Sequence, residues 1–157
     1  MEELHTRMGT FKDLGLFVEH WLSMWKTVHP ERKEEIEGKR EFARKWFTDK
    51  FSSNQLALFI AGISDGNVAG TGCLLIREDW LRPSTFQLFH PYILSLYTIP
   101  EFRNRGVASK IVESMLSWSR ERGYDRVGLH TSAGGRKLFA RFGFKNTSEM
   151  FLKIGDQ

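Results

Sequence analysis

The chain has 157 residues, 41% hydrophobic and 27% charged, which suits one soluble domain with a single core and excludes a low-complexity or disordered chain. A net charge of +4, with Lys and Arg spread along the chain, favours anionic ligands, and no long basic run marks a nucleic-acid-binding segment. Its one cysteine, Cys73, excludes an intramolecular disulfide and a cysteine-based zinc cluster, and no apolar run reaches membrane-spanning length.

The first nine residues are polar and mixed in charge, unlike a secretory leader, so the sequence reads as cytoplasmic. Glu2 to Met8 is expected to form a short edge strand. Thr10 followed by Asp13 resembles a capping box. Leu14, Phe17, Val18, Trp21, Leu22, Trp25 and Val28 then recur at three-to-four spacing, which predicts an amphipathic helix that His29-Pro30 ends. A second helix is expected from Pro30 to Lys50, with Glu31, Glu34 and Glu35 near its start and Lys45 and Lys50 near its end, as the helix dipole prefers. Gly38 is a point where it weakens or splits. The tryptophans of these stripes read as core or groove lining.

Gln55 to Ser64 is a near-continuous apolar run of strand length, and Asp65-Gly66-Asn67 is a hairpin-turn signal. The return strand, Val68 to Arg77, carries Gly70 and Gly72, which suggest a bulge or the close approach of another backbone. Cys73 sits in its apolar run and reads as a small buried hydrophobe. Glu78 to His90 is expected to be a loop whose Trp80, Leu81, Phe86, Leu88 and Phe89 cover a substrate, a partner subunit or a core edge.

Pro91 to Ile111 is the organising stretch. It reads as a buried strand (Tyr92 to Thr98), a break at Pro100, a turn through Arg103-Asn104-Arg105-Gly106-Val107-Ala108, and the start of a helix. A turn of this kind aims several backbone N–H groups at one point, at the positive end of the helix dipole, and Gly106 places no side chain in the way. Arg103 and Arg105 add full charge. The combination suits a pyrophosphate. The helix presents Ala108, Ile111, Val112, Met115, Leu116 and Ser119 on one face and ends near Gly123. Tyr124 to His130 is expected as a strand parallel to Tyr92–Thr98, Gly135 to Arg141 as a short helix, and Glu149 to Ile154 as a last strand.

With that order of elements, LYTIPEFRNRGVASKIVESML and LHTSAGGRKLFARFGFKNTSEM resemble the two cofactor motifs of the GNAT superfamily of acetyl-coenzyme A-dependent N-acetyltransferases. The resemblance is best from Tyr92 to Ile154, and Gln55 to Arg77 fits the preceding hairpin. It implies an α+β (α/β) fold of one domain, residues 1–157, with a mixed central sheet splayed into a V and flanked by helices. It also implies that the pantetheine arm of acetyl-CoA lies in the opening and pairs with backbone around Leu96, Tyr97 and Thr98. Arg103, Asn104, Arg105, Gly106, Val107, Ala108 and Ser109 would take the pyrophosphate. Ser132, Arg136 and Phe139 would border the rest of the cofactor.

The implied chemistry is direct attack of a primary amine on the thioester in a ternary complex, the acceptor being a small molecule, peptide or protein. A base must take the amine proton, and His90, Glu78 and Asp79 are the local candidates. The oxyanion that develops needs a donor, and a backbone N–H near Tyr97 is the natural one. Many family members supply the departing thiolate with a proton from a tyrosine on the short helix, and this chain has Phe139 there. Water, Ser132 or Tyr97 then takes that role, or the thiolate leaves unaided. The absent hydroxyl also motivates an alternative reading, a coenzyme A-binding sensory or regulatory protein with little catalysis. A nucleic-acid-binding domain would rest on net charge alone. No metal is implied, nor a nucleic-acid or membrane partner, and the apolar loop and the last strand are the surfaces on which a homodimer would form.

Overall fold

The computed structural model describes residues 3–155, so Glu2, the expected first residue of the edge strand, lies outside them. A five-stranded sheet runs in sequence order, from β1 (His5–Met8) through β2 (Leu56–Gly62), β3 (Val68–Glu78) and β4 (Phe89–Thr98) to β5 (Gly128–Leu129). Neighbours pair antiparallel except β4 and β5, which are parallel. On one face lie α1 (Leu14–Val28), the short α2 (Lys33–Glu37) and α3 (Arg40–Ser52); α4 (Val107–Glu121) covers the other. A last helix, α5 (Arg136–Arg141), follows β5.

Covering both faces explains why β2 reads as an unbroken apolar run, since every one of its residues is buried. Leu56 and Leu58 join Leu14, Phe17, Leu22 and Phe47 on the α1–α3 side, while Ala57, Phe59 and Ala61 join Ile111, Val112 and Met115 on the α4 side. The turn at Asp65–Asn67 forms as its residues demand. Gly66 takes φ +87°, and the Asn67 N–H donates to Asp65 Oδ1 at 2.9 Å. Thr10 N–H donates to Asp13 Oδ2 at 2.7 Å, one arm of the expected capping box. Gly38 splits the second helix, which becomes a 3-10 turn at Pro30–Arg32, α2 and α3; Arg40 ties these pieces to α1 by pairing with Glu37 and Glu19.

The two glycines of β3 allow close approach. A Cβ at Gly70 would lie 2.6 Å from the Tyr97 carbonyl oxygen and 2.8 Å from Val107 Cγ1, and one at Gly72 would lie 2.6 Å from Met115 Cε. Without side chains there, α4 and β4 can both settle onto β3.

Four expectations are corrected. The apolar side chains of the 79–88 loop close over no core edge: Trp80 is 66% exposed and Phe86 79%, while the loop is held by Thr85 Oγ1 donating to Asp125 Oδ2 and by Gln87 Nε2 donating to the Gly123 carbonyl. His90, expected in that loop, belongs to β4 and is buried. Of the strand expected at Tyr124–His130, only Gly128–Leu129 forms, because Asp125 gives its N–H to the Gln87 side chain and β4 turns away beyond Ile93. That leaves too short an edge for a sixth strand, and residues 149–154 form none; Ile154 is 90% exposed.

Candidate cofactor cleft and catalytic centre

The cleft begins with an extra residue. Cys73 pairs with Ser95 and Leu74 with Ile93, so Leu94 has no opposite number and forms a bulge in β4. A bulge bends its strand and increases its twist. At the same place the pairing with β5 stops: Tyr92 faces Gly128, Ile93 faces Leu129, and nothing follows. Beyond Ile93, the β5 side of β4 is open.

Backbone direction follows from one bond. Ile99 N–H donates to the Ala69 carbonyl at 2.9 Å, across β3. Amide groups alternate along an antiparallel strand, so Tyr97 and Ser95 also face β3, whereas Leu96 and Thr98 face the opening. In agreement, the Thr98 carbonyl accepts from Arg103 Nε at 3.3 Å on that side. Of the three residues expected to offer backbone to a pantetheine arm, Leu96 and Thr98 turn their amides to the opening, and the backbone of Tyr97 is spent on β3. An N–H of this strand free to donate into the opening therefore lies beside Tyr97 rather than at Tyr97.

The phosphate turn takes the expected shape. After a 3-10 turn at Pro100–Phe102, Asn104 adopts φ +61° and Gly106 φ +81°, both left-handed, and α4 starts at Val107. Left-handed residues at close intervals turn successive N–H groups toward one point. The N–H groups of Val107, Ala108 and Ser109, in the first turn of α4, have no intrahelical acceptor. A Cβ at Gly106 would meet nothing within 4 Å, so the space before these donors is open. Val107 is 2% exposed and anchors the turn to the core, while Arg103, Asn104, Arg105 and Gly106 face solvent. These observations fit a group carrying phosphates.

Ser132 is exposed, and its carbonyl accepts the Gly135 N–H at 3.1 Å. Arg136 is exposed and donates to Asn146 Oδ1 at 3.1 Å. Phe139 is a core residue, its ring 5.5 Å from that of Phe144.

The Tyr97 side chain points to the α1 face, where its ring lies 4.8 Å from that of His20. His20 shares a 2.8 Å hydrogen bond with Thr71, and burial lowers its pKa. His20 sits inside the apolar stripe of α1, so only its polarity among hydrophobic neighbours marked it in the sequence. His90, seven residues before Tyr97 on the same strand, lies roughly 20 Å from it. The two are not brought together. Burial also lowers the pKa of His90, with Arg126 acting in the same direction. The thiol of Cys73 is fully buried and burial raises its pKa, so it is no nucleophile.

Residues 18–144 match the Acetyltransferase (GNAT) family model. Human N-acetyltransferase 8 is 31% identical over 111 residues, covering 68% of this chain and 47% of that protein, so the chain spans about half the length of the curated relatives it matches. The crystal structure of a GCN5-related N-acetyltransferase from Ralstonia eutropha JMP134 superposes with a TM-score of 0.88 at 24% identity, covering 97% of this chain and 99% of that one. A predicted acetyltransferase from Clostridium acetobutylicum, solved with acetyl-CoA, superposes with a TM-score of 0.79 at 21% identity, covering 98% and 96%. At these identities the two structures establish the shared fold.

Proposed function

We propose that this chain, which belongs to the GNAT acetyltransferase family, transfers the acetyl group of acetyl-CoA to a primary amine by direct attack in a ternary complex. The observation that carries the reading is the open half of β4, whose unpaired amides lead to the N-terminus of α4. When bound, acetyl-CoA supplies the activated acyl group. The chain's own part is to hold and orient it. The turn from Arg103 to Ser109 takes the phosphates, Leu96 and Thr98 offer backbone to the arm, and a free amide of this strand stabilises charge on the carbonyl oxygen.

His90 at the far end of β4, Glu78 at the end of β3 with Asp79 just beyond it, and Ser132 before α5, remain the sequence-derived candidates for proton transfer. Tyr97, its ring beside that of His20, stays with them as a candidate donor to the thiolate. The sensory alternative rested on Phe139, and a side chain that packs on Phe144 fills the core without arguing against turnover. No helix among the described residues is long and apolar enough to cross a membrane. We read the 157 residues as one cytoplasmic domain acting on a small molecule, peptide or protein amine, without nucleic acid or membrane. The exposed Trp80, Phe86, Phe151 and Ile154 offer surface for a second copy.

The test is release of free thiol from acetyl-CoA with a panel of primary amines. Thiol release that depends on the amine, with acetylated product, is expected. Tight acetyl-CoA binding without release for any amine class would contradict the proposal.

A further inference from the structure

Among the described residues, four buried side-chain polar atoms have no hydrogen-bond partner: Arg82 Nε, both ring nitrogens of His90, and the Tyr92 hydroxyl. His90 and Tyr92 are on β4 and Arg82 is in the loop before it. Orphaned polar groups are rare in folded proteins, because each forfeits its hydration without return. One of the four stands at the chemistry.

Tyr92 forms the first of the two β4–β5 pairs, at the apex of the opening. Its ring crosses the seam and lies against β5: a Cβ at Gly128 would be 3.0 Å from Tyr92 Cδ2 and 3.3 Å from Cε2. The ring then meets that of His130, centroids 5.5 Å apart, just past the end of β5. A cofactor held by its phosphates at Gly106–Val107, with its arm along Thr98 and Leu96, directs its thioester toward Leu94 and this apex. His130 is exposed, and the Tyr92 hydroxyl, with the Arg77 guanidinium as a neighbouring donor, makes no hydrogen bond of good geometry.

Resting on the acetyltransferase reading, we propose that Tyr92 and His130 are the proton-accepting pair for the acceptor amine. The His130 imidazole, exposed at the apex, takes the proton of the incoming amine, and the buried Tyr92 hydroxyl acts through one water that enters with the acceptor. As the amine nitrogen bonds to the thioester carbonyl carbon, the carbon–sulfur bond breaks. The proton lost by the amine passes to the imidazole and on to the departing thiolate, so both side chains end as they began. Imidazole suits this role because its neutral form coexists with physiological pH. The charged groups facing the pair are Arg77 of β3, its guanidinium 4.0 Å from the Tyr92 ring, and Glu149 of the C-terminal segment, with the Phe151 ring against His130. The pair also answers the absence of a hydroxyl at Phe139, since its imidazolium can return the proton to sulfur.

The wild-type protein, acetyl-CoA and a reactive amine are assayed first, because loss of turnover there would strike the acetyltransferase reading and not this pair. His130→Gln should then lower kcat about 100-fold, leave acetyl-CoA affinity unchanged, and be partly rescued by added imidazole. Tyr92→Phe should lower kcat at least about tenfold with the same acetyl-CoA affinity. A second readout needs no turnover. Deleting an orphaned hydroxyl should raise the melting temperature of Tyr92→Phe by about 2 °C or more. Wild-type kcat in both variants would overturn the proposal, as would a lower melting temperature for Tyr92→Phe, which would show that the hydroxyl is satisfied in the free protein.

Discussion

The two halves of β4 carry opposite kinds of unsatisfied group. From Leu94 to Thr98 the Tyr97 ring stacks beside His20, and the backbone has no strand partner on the β5 side. From Phe89 to Ile93 the strand pairs with β3 throughout and with β5 at Tyr92 and Ile93, and the unpartnered atoms belong to the His90 and Tyr92 side chains. Leu94 is the hinge between them. One half is suited to binding a chain-like cofactor by its amides, the other to handling protons. Their junction is where a thioester and an amine would meet.

The largest disturbance of this arrangement should come from β3 rather than from β4. Gly70→Val would drive a side chain into the Tyr97 carbonyl and Val107 at once, displacing the backbone of the open half and the start of α4. We expect a loss of about 3 kcal/mol or more, seen as a lower denaturation midpoint, together with loss of acetyl-CoA binding. A variant as stable as the wild type would show that the close approach does not matter.

Gly106→Val separates binding from folding more cleanly. There is room for the side chain, but φ +81° disfavours it by about 1–2 kcal/mol, and it stands before the helix N-terminus. Acetyl-CoA affinity measured by calorimetry should fall at least about tenfold, one factor of ten being about 1.4 kcal/mol. Unchanged affinity would move the phosphates elsewhere.

The buried histidines test both halves together. His20 beneath Tyr97 and His90 at the far end are both held neutral by burial, so each folded-state pKa lies below the unfolded value of about 6.5. The unfolded chain therefore takes up protons first as the solution acidifies. The stability these groups contribute is complete above about pH 6.5 and is lost as pH falls below it. Melting temperature should drop between pH 8 and pH 5.5; a flat profile would mean that neither ring is truly desolvated. The smallest effect is expected from Phe139→Tyr. Its new hydroxyl enters the core beside Phe144, lowering stability by about 1 kcal/mol and leaving turnover near the wild-type rate. A large gain in turnover would return the thiolate-protonating role to that position.

Much of the fold was legible because its signals are local. The α1 stripe, the Asp65–Asn67 turn, the split at Gly38 and the strand–turn–helix around Gly106 each depend on residues close in sequence. Cys73 and the β3 glycines also behaved as their composition suggested. What could not be read depends on pairing. The bulge at Leu94 exists only in register with β3, and it decides which amides face the opening, so Tyr97 could not be told from Leu96 and Thr98. The two-residue length of β5 depends on Gln87 capturing the Asp125 N–H, and the missing last strand follows from that short edge. His90 looked like a loop residue because the extent of β4 is fixed by its partner, Arg77. Tyr92 and His130 are 38 positions apart, and only the parallel β4–β5 pairing brings them together.

Amide hydrogen exchange, resolved by residue and measured with and without acetyl-CoA, tests the division of β4 most directly. The account predicts slower exchange at Leu96 and Thr98 and in the first turn of α4 on adding acetyl-CoA, with Tyr97 and the β3-bonded amides protected in both states. Binding that protects none of these amides while protecting another surface would contradict it.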